Sequence, residues 1–144
     1  MTEVAFHFNA PDKLAYACRF ARKALRQGGR VTVLAPAGDL DALDKAMWNL
    51  APTDFVAHCR AHADQELLQV SPVLLAEHTE GLPHYDLLLN LGLDIPAGYA
   101  RFERVVEVVS AADESDRAAA RQRWRHYASQ GHAIVRHDLV LRSD

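Results

Sequence analysis

Cysteine is scarce in this 144-residue sequence: Cys18 and Cys59 stand 41 positions apart, with no second pair. That spacing argues against a disulfide framework or a structural zinc site and predicts a protein of the reducing cytoplasm. Long hydrophobic runs are missing too. Nothing approaches the roughly 20 apolar residues of a membrane span. The opening MTEVAFHFNAPDKL lacks a basic region with an apolar stretch behind it, so no secretory leader is expected. Nor is there a surplus of positive charge. The net charge of −3 argues against non-specific nucleic-acid binding by the surface as a whole, though not by local patches. Linkers, repeats and low-complexity blocks are also absent, which predicts one domain over residues 1–144.

What is present is an alternation of apolar periods. Val4, Phe6 and Phe8 alternate with polar or small residues and predict a strand over about 3–8. Pro11 and Asp12 open a helix with Leu14, Ala17, Cys18, Ala21 and Leu25 on its apolar face. Lys13, Arg19, Arg22, Lys23 and Arg26 lie opposite, and Gly28-Gly29 ends it. Val31, Val33 and Leu34 form a second strand. A second helix over about 39–50 points Leu40, Leu43, Met47 and Leu50 inward. Further strands are expected near Phe55-Val56, over 73–76, at Leu87-Leu88-Leu89 and over 105–109, before a last helix over about 113–130. This order predicts an open, largely parallel or mixed Rossmann-like α/β sheet with helices on both faces.

A nucleotide-binding version of that fold needs a glycine-rich turn after the first strand, where backbone N–H groups approach phosphate. Here the turn is Asn9-Ala10-Pro11-Asp12, without glycine and with a proline that has no N–H. No cofactor is expected. His58-Cys59-Arg60-Ala61-His62 is the one metal-like cluster, but a catalytic zinc needs a third protein ligand, and a surface loop accounts for the segment better. No Gly-x-Ser-x-Gly elbow surrounds any serine. A small enzyme would have to use the strand ends around Asn9, Glu77, Asn90 and Asp94.

Two features fit a purely structural reading poorly. Leu40, Leu43, Met47 and Leu50 cluster within about 80° of helix circumference, and Trp48 falls outside that arc. Either a neighbouring loop covers it or it anchors a partner. In the last helix, Arg117, Arg121, Arg123 and Arg125 give residues 117–131 a charge of +4 with no acid. Arg117, Arg121 and Trp124 share about 60° of one face, with Arg125 about 40° further round. That face is either a solvated arginine stripe or a socket where guanidinium forks hold a carboxylate beside an apolar wall. Direct single-strand binding would need several stacking aromatics in a basic groove, and the helix offers Trp124 with only Tyr127 nearby.

Several blocks, in order along nearly the whole chain, resemble the chi subunit of bacterial DNA polymerase III. They are Val4–Phe8, Gly29–Ala35, Leu43–Trp48 with Phe55–His58, Leu87–Leu91, and Arg121–Tyr127 with Gly131. The resemblance implies a non-catalytic adaptor of the clamp loader. Its partners would be a small psi subunit and the acidic, Pro-Phe-terminated tail of single-stranded-DNA-binding protein, so that nucleic acid is met only indirectly. By position, Trp48 and Phe55 match the aromatic pair that meets psi, a surface that in some relatives also serves a DNA helicase. Arg117, Arg121, Trp124 and Arg125 match the tail-binding positions, with Val109 at the pocket floor. Ala57 stands where the family commonly has proline, and Ala128 where relatives often have arginine.

Overall fold

The computed structural model describes residues 2–49 and 57–140. Among the described residues seven strands form one wholly parallel sheet in the order β3-β4-β2-β5-β6-β1-β7. In sequence they are β1 (Glu3–Ala10), β2 (Val31–Leu34), β3 (His58–Arg60), β4 (Val73–Ala76), β5 (Leu87–Asn90), β6 (Arg104–Ser110) and β7 (Ile134–Asp138). The helices are α1 (Lys13–Arg26), α2 (Ala37–Trp48), α3 (Gln65–Val70) and α4 (Glu114–Ser129), with a 3-10 turn at Tyr99–Arg101. No described helix is long and apolar enough to cross a membrane.

Each face of the sheet carries its own core. Ala17 and Ala21 of α1 and Leu40, Leu43 and Met47 of α2 pack on Val31, Val33, Val73, Leu75, Leu89, Val106 and Val108. The alternate residues of the same strands point the other way. There Val4, Phe6, Leu88, Val105 and Val109 pack under Ala120 and Tyr127 of α4 and under Phe102. Central strands covered on both sides need apolar residues at every position, and every residue of β4 and of the Leu-Leu-Leu run in β5 is buried. Each fully buried aliphatic side chain contributes about 1.5–3 kcal/mol.

Local signals set the ends of the elements. Asp12 caps α1 by accepting from the Ala15 amide at 3.1 Å. Gly28 follows at φ +77, a conformation that costs glycine no steric clash. At the other end of α1, before its cap, Asn9 adopts φ +66 and the register between β1 and β6 slips after His7. Asparagine tolerates this region better than other side chains, and here its amide donates to Asp138 of β7 at 2.9 Å.

Three expectations need correction or completion. His58-Cys59-Arg60 is not a surface loop: it pairs with β4, and His58 is buried with Nε2 2.8 Å from Asp44 of α2. The pairing pulls the segment into the sheet edge, while His62 lies in the turn beyond. Lys13 does not lie on the far side of α1 with the other cations, because it reaches inward to Asp116 and to the Leu91 carbonyl, 2.8 Å from each. Strand β7 and helix α3 carry weak periodic signals, one being a half-exposed edge strand and the other only six residues long. Leu50, Phe55 and Val56 lie outside the described residues.

Candidate functional site: a basic, aromatic-floored cleft

Strand β6 leads into α4 on one face of the sheet, while its neighbour β1 leads into α1 on the other. Where adjacent strands send their connections to opposite faces, a crevice opens beyond their carboxyl ends. A cleft of about 420 Å³ lies there, formed by β1, β6, β7 and α4.

Helix α4 is fixed before it reaches the cleft. Asp113 caps it by accepting from the Asp116 amide, and Ser110 Oγ accepts from the Ala112 and Asp113 amides. Asp116, itself buried, accepts from the Ser110 amide at 2.7 Å and from Lys13 Nζ. One turn on, the inward face carries Ala120, Arg123 and Tyr127. Arg123 belongs to the core, not to a solvated stripe or an anion socket: it is 1% exposed, and its Nε donates to Glu107 Oε1 at 2.9 Å. Its Nη1 donates to the Leu93 carbonyl at 2.8 Å. Tyr127 donates to the other Glu107 oxygen at 2.6 Å, and Asn90 Nδ2 donates to Oε1 at 2.9 Å. Burial pushes the Glu107 carboxyl up, opposed by the Arg123 charge and by these hydrogen bonds. Burial and the Glu107 charge push the Tyr127 phenol up as well, so it remains a donor.

With that face spent on the core, Arg117, Arg121, Trp124 and Arg125 line the cleft. Its floor is apolar: Phe6 and Phe8 of β1, Val109 of β6, Ala120 and the Trp124 indole. Trp124 packs on Phe6 with ring centroids 5.1 Å apart. Across the cleft, Arg136 of β7 lays its guanidinium 5.4 Å from the Phe8 ring centroid and 5.9 Å from that of Trp124. Arg117 is held by the Ala111 carbonyl at 2.9 Å and by Asn9 Oδ1 at 3.4 Å. Glu114, at the start of α4, lies 2.8 Å from Arg121 and 3.7 Å from Arg117, and Arg121 holds its carboxyl below the usual range. Several guanidiniums around an aromatic floor suit an anionic group attached to an apolar one.

The structure therefore brings together Val109, Arg117, Arg121, Trp124 and Arg125. Sequence reasoning missed Arg136, Phe6 and Phe8 as cleft residues. The i, i+2 spacing of the two phenylalanines was a usable signal, whereas Arg136 enters from a strand that is faint in the sequence. The residues of the small-enzyme alternative do not converge. Asn9 borders this cleft and Asn90 is spent on Glu107. Glu77 and Asp94 line a separate crevice of about 340 Å³. Among the described residues no group of three or more His, Cys, Asp or Glu is placed to hold a metal ion. Trp48 is 62% exposed at the end of α2, its ring centroid 5.4 Å from that of His58, while Phe55 lies outside the described residues.

These features define an open parallel α/β domain whose crevice carries arginines and aromatic rings where nucleotide-binding relatives of the architecture carry a glycine-rich loop. The family model of the DNA polymerase III chi subunit, HolC, matches residues 1–135. The chain is also 35% identical over 144 residues to the DNA polymerase III subunit chi of Pseudomonas aeruginosa, covering 96% of this chain and 98% of that protein. It belongs to the DNA polymerase III chi subunit family, accessory subunits of the replicative polymerase.

Removing one partner of a buried ion pair strands the other, at a cost of about 3–5 kcal/mol. Arg123→Met should destabilise the protein by about that much in urea titrations at pH 7. Without the guanidinium, burial raises the folded-state pKa of Glu107 further above its unfolded value. The folded variant then binds a proton that the unfolded chain releases, so the deficit should shrink as the pH falls from 7 towards 4. A deficit that grows on acidification would contradict this account of the pair.

Proposed function

We propose that this protein is a non-catalytic adaptor of the replication machinery. In this reading the cleft takes the acidic, Phe-terminated tail of single-stranded-DNA-binding protein. Trp48, at the end of α2, and Phe55, matched by sequence position, meet a psi-type subunit of the clamp loader, and the same residues are those a DNA helicase would use. The observation that carries the reading is the pairing, in one cleft, of an apolar floor with a rim of Arg117, Arg121, Arg125 and Arg136. A C-terminal phenylalanine presents the same two chemistries on one residue, a ring and a carboxylate. Acidic residues before it would meet the remaining positive charge. The family's place in the polymerase supports the choice of partners, and no step in this function requires chemistry on a bound substrate.

The cleft reading predicts that charge and ring contribute separately to peptide binding. A carboxylate held by a guanidinium contributes roughly 1.5–3 kcal/mol per hydrogen bond. Arg121→Glu should weaken binding of a labelled acidic, Phe-terminated peptide more than Arg121→Ala does, because it adds repulsion to a lost bond. Trp124→Ala should weaken it with the salt dependence largely preserved. Anisotropy at two salt concentrations, with a single-stranded oligonucleotide in parallel, provides the check. Tight oligonucleotide binding without peptide binding would replace the adaptor reading with direct nucleic-acid binding.

Trp48 yields a second test. Exposed tryptophans at interfaces are frequent hot spots, so Trp48→Ala should cost about 2 kcal/mol or more of binding to the psi-type subunit in calorimetry. The melting temperature should change little. A large fall in melting temperature would mean that Trp48 supports the fold instead.

A further inference from the structure

The four guanidiniums on the cleft rim are not equivalent. Arg125 and Arg136 make no ion pair with any described residue, whereas Glu114 is shared by Arg117 and Arg121 at 3.7 and 2.8 Å. Arg117 is also oriented by the Ala111 carbonyl and Asn9, so it keeps its place without the carboxylate. Arg121 is different: among the described residues its one side-chain hydrogen bond is to Glu114. Both members of that pair are well exposed, 56% for Arg121 and 74% for Glu114. An exposed ion pair is weakly held and open to exchange with another carboxylate. The helix start does not depend on Glu114 either, because Asp113 supplies the cap and Asp116 the buried anchor.

We propose that Glu114 is an internal competitor in the cleft, a carboxylate that occupies Arg121 and must be displaced by a carboxylate of the bound peptide. This inference rests on the cleft being a site for acidic peptides, and it adds a competitor that belongs to the chain itself. Arg125 and Arg136 then receive the first anionic group of a ligand over the aromatic floor. Arg121 is surrendered only to a ligand that brings a further carboxylate to compete with Glu114. Displacing Glu114 offsets part of what that further carboxylate gains, so the cleft holds an acidic peptide less tightly than its arginines alone would allow.

The alternative role for Glu114 has the opposite sign: it could hold Arg121 in the binding orientation, so that its removal would weaken binding. Glu114→Gln keeps the side-chain shape and removes the charge. With the full chain and a labelled acidic peptide ending in Pro-Phe, anisotropy should show Glu114→Gln binding about two- to fivefold tighter than the unaltered protein. Glu103→Gln removes the same charge just before the amino end of β6, away from the cleft at its carboxyl end, and should leave the affinity unchanged. In an Arg121→Met background the gain from Glu114→Gln should vanish, since Arg117, the other guanidinium near Glu114, is held in place by the Ala111 carbonyl and Asn9. Equal or weaker binding by Glu114→Gln would overturn the inference, as would a gain that persists without Arg121 or that Glu103→Gln reproduces. Failure of every protein to bind the peptide would overturn the reading of the cleft itself, and this inference with it.

Discussion

A carboxylate in the middle of a covered strand has to be neutralised, and the way Glu107 is neutralised fixes the geometry of the cleft. Glu107 stands between Val105 and Val109 on the face of β6 that α4 covers, and it is fully buried. Two of its partners, Arg123 and Tyr127, are four residues apart on α4 and so lie on one face of that helix. Their bonds set the rotation of α4 about its axis. A rotation by one residue, about 100°, would break both bonds and turn Trp124 away from Phe6. Buried ion pairs are weak evidence for net stability. Here the consequence of the pair is orientation: it leaves Arg117, Arg121, Trp124 and Arg125 along the cleft.

The strand order supplies the second constraint. Among the described residues, two crevices at the carboxyl edge of the sheet are opposite in character. The one between β1 and β6 is rimmed by arginines. The other, beyond β2, β4 and β5, is lined by Glu77, Glu80 and Asp94 and by no Lys or Arg. In nucleotide-binding members of this architecture the crevice presents backbone N–H groups to phosphate. In this chain the turn after β1 carries Asn9 at positive φ and then Pro11, and Asn9 spends its side chain on Asp138 and Arg117. The positive charge at this crevice comes instead from guanidiniums on α4 and β7. Carboxylates are a natural match for that fork geometry.

Much of this was legible in the sequence where period and punctuation agree. The caps Asp12 and Asp113, the buried run in β5 and the inward stripe of α2 follow from single-residue chemistry repeated at fixed spacing. The clustering of Arg117, Arg121 and Trp124 was legible for the same reason, since helical spacing alone brings them together. Arg123 was misread because four arginines in nine residues look like one solvated stripe. Its spacing from Ala120 and Tyr127 places it on the apolar face, and Glu107 interrupting an apolar strand was the matching clue. Arg136 and the second role of Lys13 were not legible. Each depends on which strands lie side by side, and strand order does not follow from local pattern. His58 was misread for a related reason: only pairing with β4 turns a polar segment into a strand.

In the proposed function α4, β1 and β7 together make a receptor for an acidic, Phe-terminated peptide, separate from the surface around Trp48. Titration of the isotope-labelled protein with such a peptide, followed by NMR shifts of backbone amides and of the two tryptophan indoles, tests it most directly. Large shifts are expected for the Trp124 indole and for amides around Phe6, Phe8, Arg121 and Arg136, with the Trp48 indole unmoved. Shifts centred on Trp48 and α2, with the Trp124 indole unmoved, would contradict it.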